Sequence, residues 1–551
     1  MKPLLPAVIV TILGASLSLA GSGCSQARRQ SPSAPTRSGP APVGAAPAKA
    51  DAPAKPKDGV PATYLELFDD LVAKVEKHHV FAEAKKPRWP GDKARLRKVF
   101  EGVKTREDAL VALAQLQAAL GDRHCYLSPP TDLRPTRLAL GIELFAETSG
   151  ADTIVRVADI LDPDLANNAV EISIGDEIVA VDGQSVEDWL AANPFASNSL
   201  NDRVALSERA DTIVAARLPW TRVQKGDKRT LRLRRNGQEH DVSLTFVHPS
   251  KWEDATEINF DHSPAMSTIG CRADKHPLYS SFELSAVGTN LCVYRPTTGK
   301  RDTRLVRYLS FRYPYNGASD DVRAAKADHD LLARELEKAR AVVLDLHENR
   351  GGNNPFVFLS WFAKKAWDHQ QVHVTVSRDF PEDDVRQFLF GDPTMIERYQ
   401  TAAAAGKTVE SWPFLCPKDG KLATDGTCEA RGPRPSEQVT KAPVAVVTGP
   451  DCTSSCDSFV ADWSAFEMGP LVGQQPAHGF TTVRHSYALV APDGRDLGRF
   501  RIALSWEAYP RHGAPLEGAP VKLDWETPAT FETRDTWIDE AVKEARRRVE
   551  R

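Results

Sequence analysis

Val444-Ala445-Val446-Val447-Thr448 runs into Gly449-Pro450-Asp451-Cys452-Thr453-Ser454-Ser455-Cys456-Asp457, and Ser458-Phe459-Val460-Ala461-Asp462-Trp463 runs out of it. The first run reads as an apolar strand and the last as a helix, so Ser454 sits at a strand-to-helix turn. A serine there stands at the edge of a sheet. The unsatisfied N–H groups of the new helix can face a developing negative charge beside it. On its own the pattern is equally that of a helix N-cap.

Two further segments share its character. Val342-Val343-Leu344-Asp345-Leu346-His347-Glu348-Asn349-Arg350-Gly351-Gly352-Asn353 is a β-branched strand ending in a polar turn and two glycines. Glycine permits positive φ and close backbone approach, which a tight turn or a backbone-built anion site requires. Ala119-Leu120-Gly121-Asp122-Arg123-His124-Cys125-Tyr126-Leu127 follows an amphipathic helix; its plain reading is a glycine C-cap and a surface histidine.

In this order the three segments resemble the superfamily of C-terminal processing (tail-specific) peptidases, the tricorn core protease and the interphotoreceptor retinoid-binding proteins. The matching residues are Leu120-Gly121-Asp122-Arg123-His124, Asp345-Leu346-His347-Glu348-Asn349-Arg350-Gly351-Gly352 and Ser454-Ser455-Cys456-Asp457, and the likeness spans residues 61–551. The Cys-x-Ser-Ser-Cys turn is most similar to the lysine-free branch that includes the chlamydial secreted serine protease. The resemblance implies an α/β fold: a crotonase-like spiral of ββα units as catalytic core, an N-terminal helical cap and a PDZ-like β-rich domain. It also implies a serine-type endopeptidase acting on polypeptides, with Ser454 as nucleophile and no cofactor. The retinoid-binding relatives keep open an alternative: a catalytically silent protein that binds peptides or apolar small molecules. A third reading is a scaffold in which only the PDZ-like lobe acts.

The base divides the family. Many members use a lysine after the serine, but no lysine lies between Lys441 and Lys522 here. The other branches imply His124. His478, 24 residues after Ser454, stands near the place of the missing lysine and is the alternative base. Imidazole titrates near neutrality and can accept and return the serine proton. Glu517, in Pro515-Leu516-Glu517-Gly518-Ala519-Pro520-Val521, resembles the family's late acidic segment and is the orienting acid the likeness implies, with Asp122 as a second option. The oxyanion donors are then backbone N–H groups of Gly351 or Gly352 and of Ser455. Asp457 reads as a helix N-terminal acid supporting the turn. His347 replaces a family arginine and receives no catalytic role. No metal site is read: no Cys-x-x-Cys or His-Glu-x-x-His occurs.

Charge is nearly balanced at −4, from 70 Lys+Arg against 74 Asp+Glu, which argues against nucleic-acid binding. Met1-Lys2 precedes an apolar stretch, Leu4 to Ala20, and Gly21-Ser22-Gly23-Cys24. Residues 1–24 thus read as a signal peptide resembling the lipoprotein type, with simple cleavage as the alternative. Lipidated Cys24 would tether an exported, periplasmic or cell-surface protein to the membrane. Residues 25–60, rich in Pro and Ala without aromatics, read as a disordered tether.

The remaining organisation reads as a helical cap over 61–130, a PDZ-like domain with its return hairpin over 131–250, a connecting excursion over 251–290 and the catalytic domain over 291–551, with an insertion at 365–440. The PDZ-like lobe reads either as a peptide-terminus binder or as a lid that binds nothing. An oxidising compartment suggests disulfides Cys416–Cys428, Cys271–Cys292 and Cys452–Cys456, which leaves Cys125 outside a bridge.

Overall fold

The computed structural model describes residues 60–80, 86–133, 138–150, 152–162, 171–193, 197, 199–216, 223–248, 271, 281–297, 302–311, 319–352, 355–365, 367, 370–389, 393–413, 417–418, 421–422, 437–480, 483–509 and 516–550. The signal, nearly all of the tether, most of 251–290 and the Cys416–Cys428 pairing lie outside them. No helix among the described residues is long and apolar enough to cross a membrane.

The described residues begin with three helices, α1 (Tyr64–His78), α2 (Trp89–Glu101) and α3 (Arg106–Leu120). Thr105 starts α3 with a reciprocal capping box: its hydroxyl accepts the Asp108 N–H and the Asp108 carboxylate accepts the Thr105 N–H. Gly121 ends it in the left-handed conformation, φ 59°. Leu110, Leu113, Leu116 and Leu120 lie on one buried stripe. Phe68 of α1 stacks on Phe100 of α2, with ring centroids 4.7 Å apart.

A short strand, β1 (Tyr126–Ser128), follows His124 directly. A second lobe comes next. It holds β2 (Ile142–Ser149), β3 (Asp152–Ile160), β4 (Glu177–Val181), the helix α4 (Asp202–Val214), β5 (Lys228–Arg235) and β6 (Gln238–Thr245). The strands form one antiparallel sheet in the order β2-β3-β4-β5-β6. Asn236 and Gly237 both have positive φ, 52° and 79°, as a two-residue hairpin turn between β5 and β6 demands.

The core is a seven-stranded sheet. Its order is β7 (Phe282–Val287), β8 (Leu291–Pro296), β9 (Thr303–Tyr308), β10 (Ala341–Asp345), β11 (Val444–Thr448), β12 (Leu471–Gly473) and, at the far edge, Trp525–Glu526. Pairing is parallel from β9 onward, and β10 and β11 are buried at every residue. Alternate residues feed two cores. Val342, Leu344, Val444 and Val446 face the helix α5 (Ser455–Ala465); Ala341, Val343, Ala445 and Val447 face α6 (Trp537–Val549). The C-terminal run, which reads as a charged surface helix, therefore also roofs one face of the sheet with Trp537, Ile538, Ala541, Val542 and Ala545.

Two long-range pairings escape a local reading. The strand 371–375 pairs with 409–413 on one side and with 505–508 on the other, so much of the 365–440 segment is stitched into the core. The hairpin of β13 (Arg484–Val490) and β14 (Asp496–Ala503) takes β1 as a third strand, with Tyr126 opposite Arg501. Cys271–Cys292 and Cys452–Cys456 are disulfides; Cys125 is in neither, and its buried sulfur accepts the Ala503 N–H.

Leu113→Ala, at a fully buried site in α3, is expected to lower stability by about 2–5 kcal/mol, while Lys98→Ala on the exposed face of α2 changes it by less than about 0.5 kcal/mol. Urea unfolding followed by tryptophan fluorescence measures both.

Candidate active site

Ser454 ends the turn after β11 and caps α5 with φ 60° and ψ −121°. A non-glycine residue rarely occupies this region, so the surroundings must hold it there. Asp457, one turn into the helix, does so. Its carboxylate accepts the Ser454 N–H at 2.8 Å, the His478 N–H at 2.8 Å and the Gly479 N–H at 3.0 Å. One buried acid thus ties the serine turn to the 478–479 loop. Burial pushes its carboxyl up to about 7, against the pull of those three donors.

The turn after β10 packs directly on the serine. A Cβ on Gly351, φ 78°, would lie 2.5 Å from the Thr453 carbonyl oxygen and 2.9 Å from Ser454 Cβ, so only glycine fits. Asn349, fully buried, organises this turn. Its Oδ1 accepts the Gly351 N–H at 2.9 Å, its Nδ2 donates to the Tyr308 carbonyl at 2.9 Å, and its own carbonyl accepts the Thr453 N–H at 3.2 Å. The Gly351 N–H is therefore spent on Asn349, which corrects its expected role as an oxyanion donor. The Gly352 and Ser455 N–H groups carry no hydrogen bond among the described residues, and the Ser455 hydroxyl donates to the Gly352 carbonyl at 3.0 Å.

The helical cap delivers His124. Pairing of β1 with β14 fixes the segment, and His124 Nε2 lies 3.4 Å from Ser454 Oγ although 330 residues separate them in sequence. Its backbone N–H donates to Asp122 Oδ1 at 2.7 Å, and its Nδ1 lies 3.7 Å from the same oxygen. Burial draws the imidazole down to about 4, with Asp122 pulling the other way. For Asp122, burial opposes ionisation, but His79 and His124 outweigh it and hold its carboxyl below the usual range. Glu517 accepts the Phe480 N–H at 2.6 Å; burial, and then the Asp122 charge, push its carboxyl well above the usual range. Asp122 and Glu517 thus divide into an ionised and a protonated acid beside the imidazole's own segment.

His478 turns its Nε2 to Gln475 Oε1 at 3.2 Å. His347 Nδ1 lies 2.7 Å from Asp345 Oδ1. Burial disfavours its charge, but Asp345 and Glu348 prevail and raise it to about 10. His79, Asp122 and Cys125 place one ligand atom each within 4.8 Å of one another, the metal-ligand-like grouping found among the described residues. Burial keeps the Cys125 thiol protonated, which is the wrong form for a ligand.

Residues 305–513 match the sequence profile of peptidase family S41. This segment is similar to the peptidase domains of that family. A stretch of 154 residues is 29% identical to tricorn protease homolog 1 of Streptomyces coelicolor, taking in 26% of this chain and 14% of that one. The chain thus matches a small part of that relative's length. Among solved structures, mature CPAF complexed with lactacystin superposes with a TM-score of 0.62 at 15% identity, over 89% of this chain and 99% of that one. Mature CPAF alone gives 0.58 at 17% identity, over 88% and 95%. These likenesses show the mixed α/β S41 fold. Gly351, Gly352, Ser454, Ser455, His124 and Glu517 lie within one neighbourhood of it. Asn349 and the triple bonding of Asp457 are the parts that sequence reading missed, although both stood inside the quoted segments.

In an NMR titration the His124 ring should change charge near pH 4, and Asp122→Asn should move that midpoint lower, since the carboxylate stabilises the imidazolium. His347 behaves oppositely. Its folded value of about 10 lies above the ordinary ~6.5, so its contribution is complete below ~6.5 and is lost as pH rises through about 10. His347→Asn should abolish a stability loss on the order of a few kcal/mol between pH 7 and 10, read from urea midpoints.

Proposed function

We propose that this chain is a serine-type endopeptidase that cleaves polypeptides through Ser454 and His124. The observation that carries the reading is the His124 Nε2 to Ser454 Oγ separation of 3.4 Å at a strained strand-to-helix turn within an S41 domain. Such distances shorten when substrate binds. Ser454 Oγ attacks the scissile carbonyl carbon as His124 Nε2 takes its proton. The carbonyl oxygen becomes an oxyanion facing the Gly352 and Ser455 N–H groups. Collapse breaks the C–N bond, and the His124 imidazolium returns the proton to the leaving amine. Water repeats the sequence on the acyl-enzyme, with His124 again as base.

Asp122 accepts the His124 backbone N–H, and its charge, 3.7 Å from Nδ1 and without a hydrogen bond to it, favours the tautomer that carries the proton on Nδ1 and leaves Nε2 to accept. Glu517 is the second acid of the site. It is retained as the orienting residue through its place beside Asp122 and on the Phe480 N–H. A silent ligand-binding relative would need no histidine at hydrogen-bond reach of the serine, so the geometry favours catalysis. The reading includes export: the N-terminal segment acts as a lipoprotein-type signal, and Cys24 with residues 25–60 tethers the enzyme at the periplasmic face or cell surface.

Ser454→Ala and His124→Ala should each reduce cleavage of a protein substrate by at least about a thousandfold, and His478→Ala should be mild, because members of the catalytic unit fail together. Fluorophosphonate labelling mapped by mass spectrometry should land on Ser454. Label elsewhere, or a dead His478 variant with an active His124 variant, overturns the assignment. The pH profile of kcat/KM should fall in two steps on the acid side. The first begins near 7 as the Asp457 carboxylate takes a proton and releases its donors; the second begins near 4 as His124 charges. Residual activity of Asp457→Asn should show the lower step alone.

A further inference from the structure

Alternation along β13 and β14 puts Arg484, Ser486 and Ala488 on one face with Arg499, Arg501 and Ala503, and β1 adds Tyr126 to it. His485, Leu489, Phe500 and Ile502 point to the buried side. The arginine face is graded: Arg499 is exposed, while Arg501 and Arg484 are half-buried. Its inner end abuts the base segment, because Ala503, opposite Arg484, donates its N–H to the sulfur of Cys125, the residue after His124.

None of these three guanidinium groups has an ion-pair partner among the described residues. The arginines of the second lobe's hairpin differ in this respect. On the hairpin of β5 and β6, Arg229 meets Asp182, Arg232 meets Asp241, Arg234 meets Glu177 and Glu239, and Arg235 meets Asp176. Both hairpins are arginine-rich; the strand arginines of one are paired, whereas on the other only Arg495 of the turn has an acidic partner, Asp493, among the described residues. Arg501 is nonetheless held in place. It rests 4.4 Å from the Tyr126 ring centroid and donates its Nε to Ser486 Oγ at 3.1 Å, which leaves its terminal NH₂ groups without a partner among the described residues. Like charges on neighbouring strands destabilise a sheet. Burial, and then Arg501, depress the Arg484 guanidinium. A cationic stripe kept under those penalties, running up to a catalytic histidine, is complementary to acidic side chains.

We propose that Arg484, Arg501 and Arg499 form a substrate subsite on the His124 side of the scissile bond that takes Asp or Glu side chains of the polypeptide. The inference rests on the endopeptidase reading for its consequence in turnover, but not for its binding chemistry. The experiment therefore has two arms. In the first, internally quenched peptides from a cleaved substrate are scanned with Glu/Gln and Asp/Asn pairs. At one or more positions the acidic peptide should exceed its amide twin in kcat/KM by about tenfold, chiefly through KM, with the ratio shrinking as salt is raised. Arg501→Gln and Arg484→Gln should collapse the ratio, Arg501→Lys should restore part of it, and Arg232→Gln on the neutralised hairpin should leave it unchanged. In the second arm, a fluorescent Glu-containing peptide and its Gln twin are bound to the full chain carrying Ser454→Ala. The acidic peptide should bind more tightly, and Arg501→Gln should erase the difference. Cleavage without acid preference, or a preference that survives the arginine variants, overturns the subsite and leaves the peptidase reading standing. Absence of all cleavage and labelling with arginine-dependent acidic binding overturns the peptidase reading and retains the subsite. Equal binding of the two peptides overturns the subsite in either case.

Discussion

One buried carboxylate holds the site in register. Ser454 occupies a backbone conformation that costs about 1–3 kcal/mol, and the strain persists only because neighbouring groups over-determine it. Asp457 supplies the main restraint by accepting the Ser454, His478 and Gly479 N–H groups at once. A neutral acid cannot accept all three as well, since its proton would point at a donor. The Cys452–Cys456 disulfide brackets the same turn, and Gly351 closes against its far side. His478 itself has positive φ, 62°, so the loop bonded to Asp457 is strained like the serine it serves. A Cβ on Gly479 would sit 3.6 Å from His124 Cε1, so the loop that Asp457 holds is also the floor under the base.

Much of this was legible in the chain. β10 and β11 read as buried parallel strands because both of their faces are covered, which turns alternation into a continuous apolar run. The capping box at Thr105 and the Asn236-Gly237 turn are local chemistry, and local chemistry is what sequence records well. The β1–β14 pairing was not legible. A three-residue strand has no periodicity of its own, and its partner lies hundreds of residues away. The same holds for the strand 371–375, whose neighbour at 505–508 makes an apparent insertion part of the core. At the site, Gly351 and Gly352 are indistinguishable as letters. They separate only when Asn349 Oδ1 is seen to take the Gly351 N–H, leaving Gly352 to face outward.

The second lobe is bonded to both halves of this arrangement. Asn201 caps α4 by accepting the Arg203 and Val204 N–H groups, and its amide donates to the Pro476 carbonyl at 2.7 Å, two residues before His478. Arg123, next to His124, pairs with Glu208 of the same helix at 3.1 Å. One helix of the second lobe thus bonds both the loop beneath the base and the base's own segment, while Ser454 follows a strand of the core sheet. That bonding adds to contacts that already join both segments to the core. β1 pairs with β14, Leu116, Leu120, Cys125 and Leu127 share one buried cluster with Val444 and Val446, and Asp457 bonds the 478–479 loop to the serine turn. The base, the loop under it and the serine are therefore held by one connected set of contacts, which α4 braces from the second lobe.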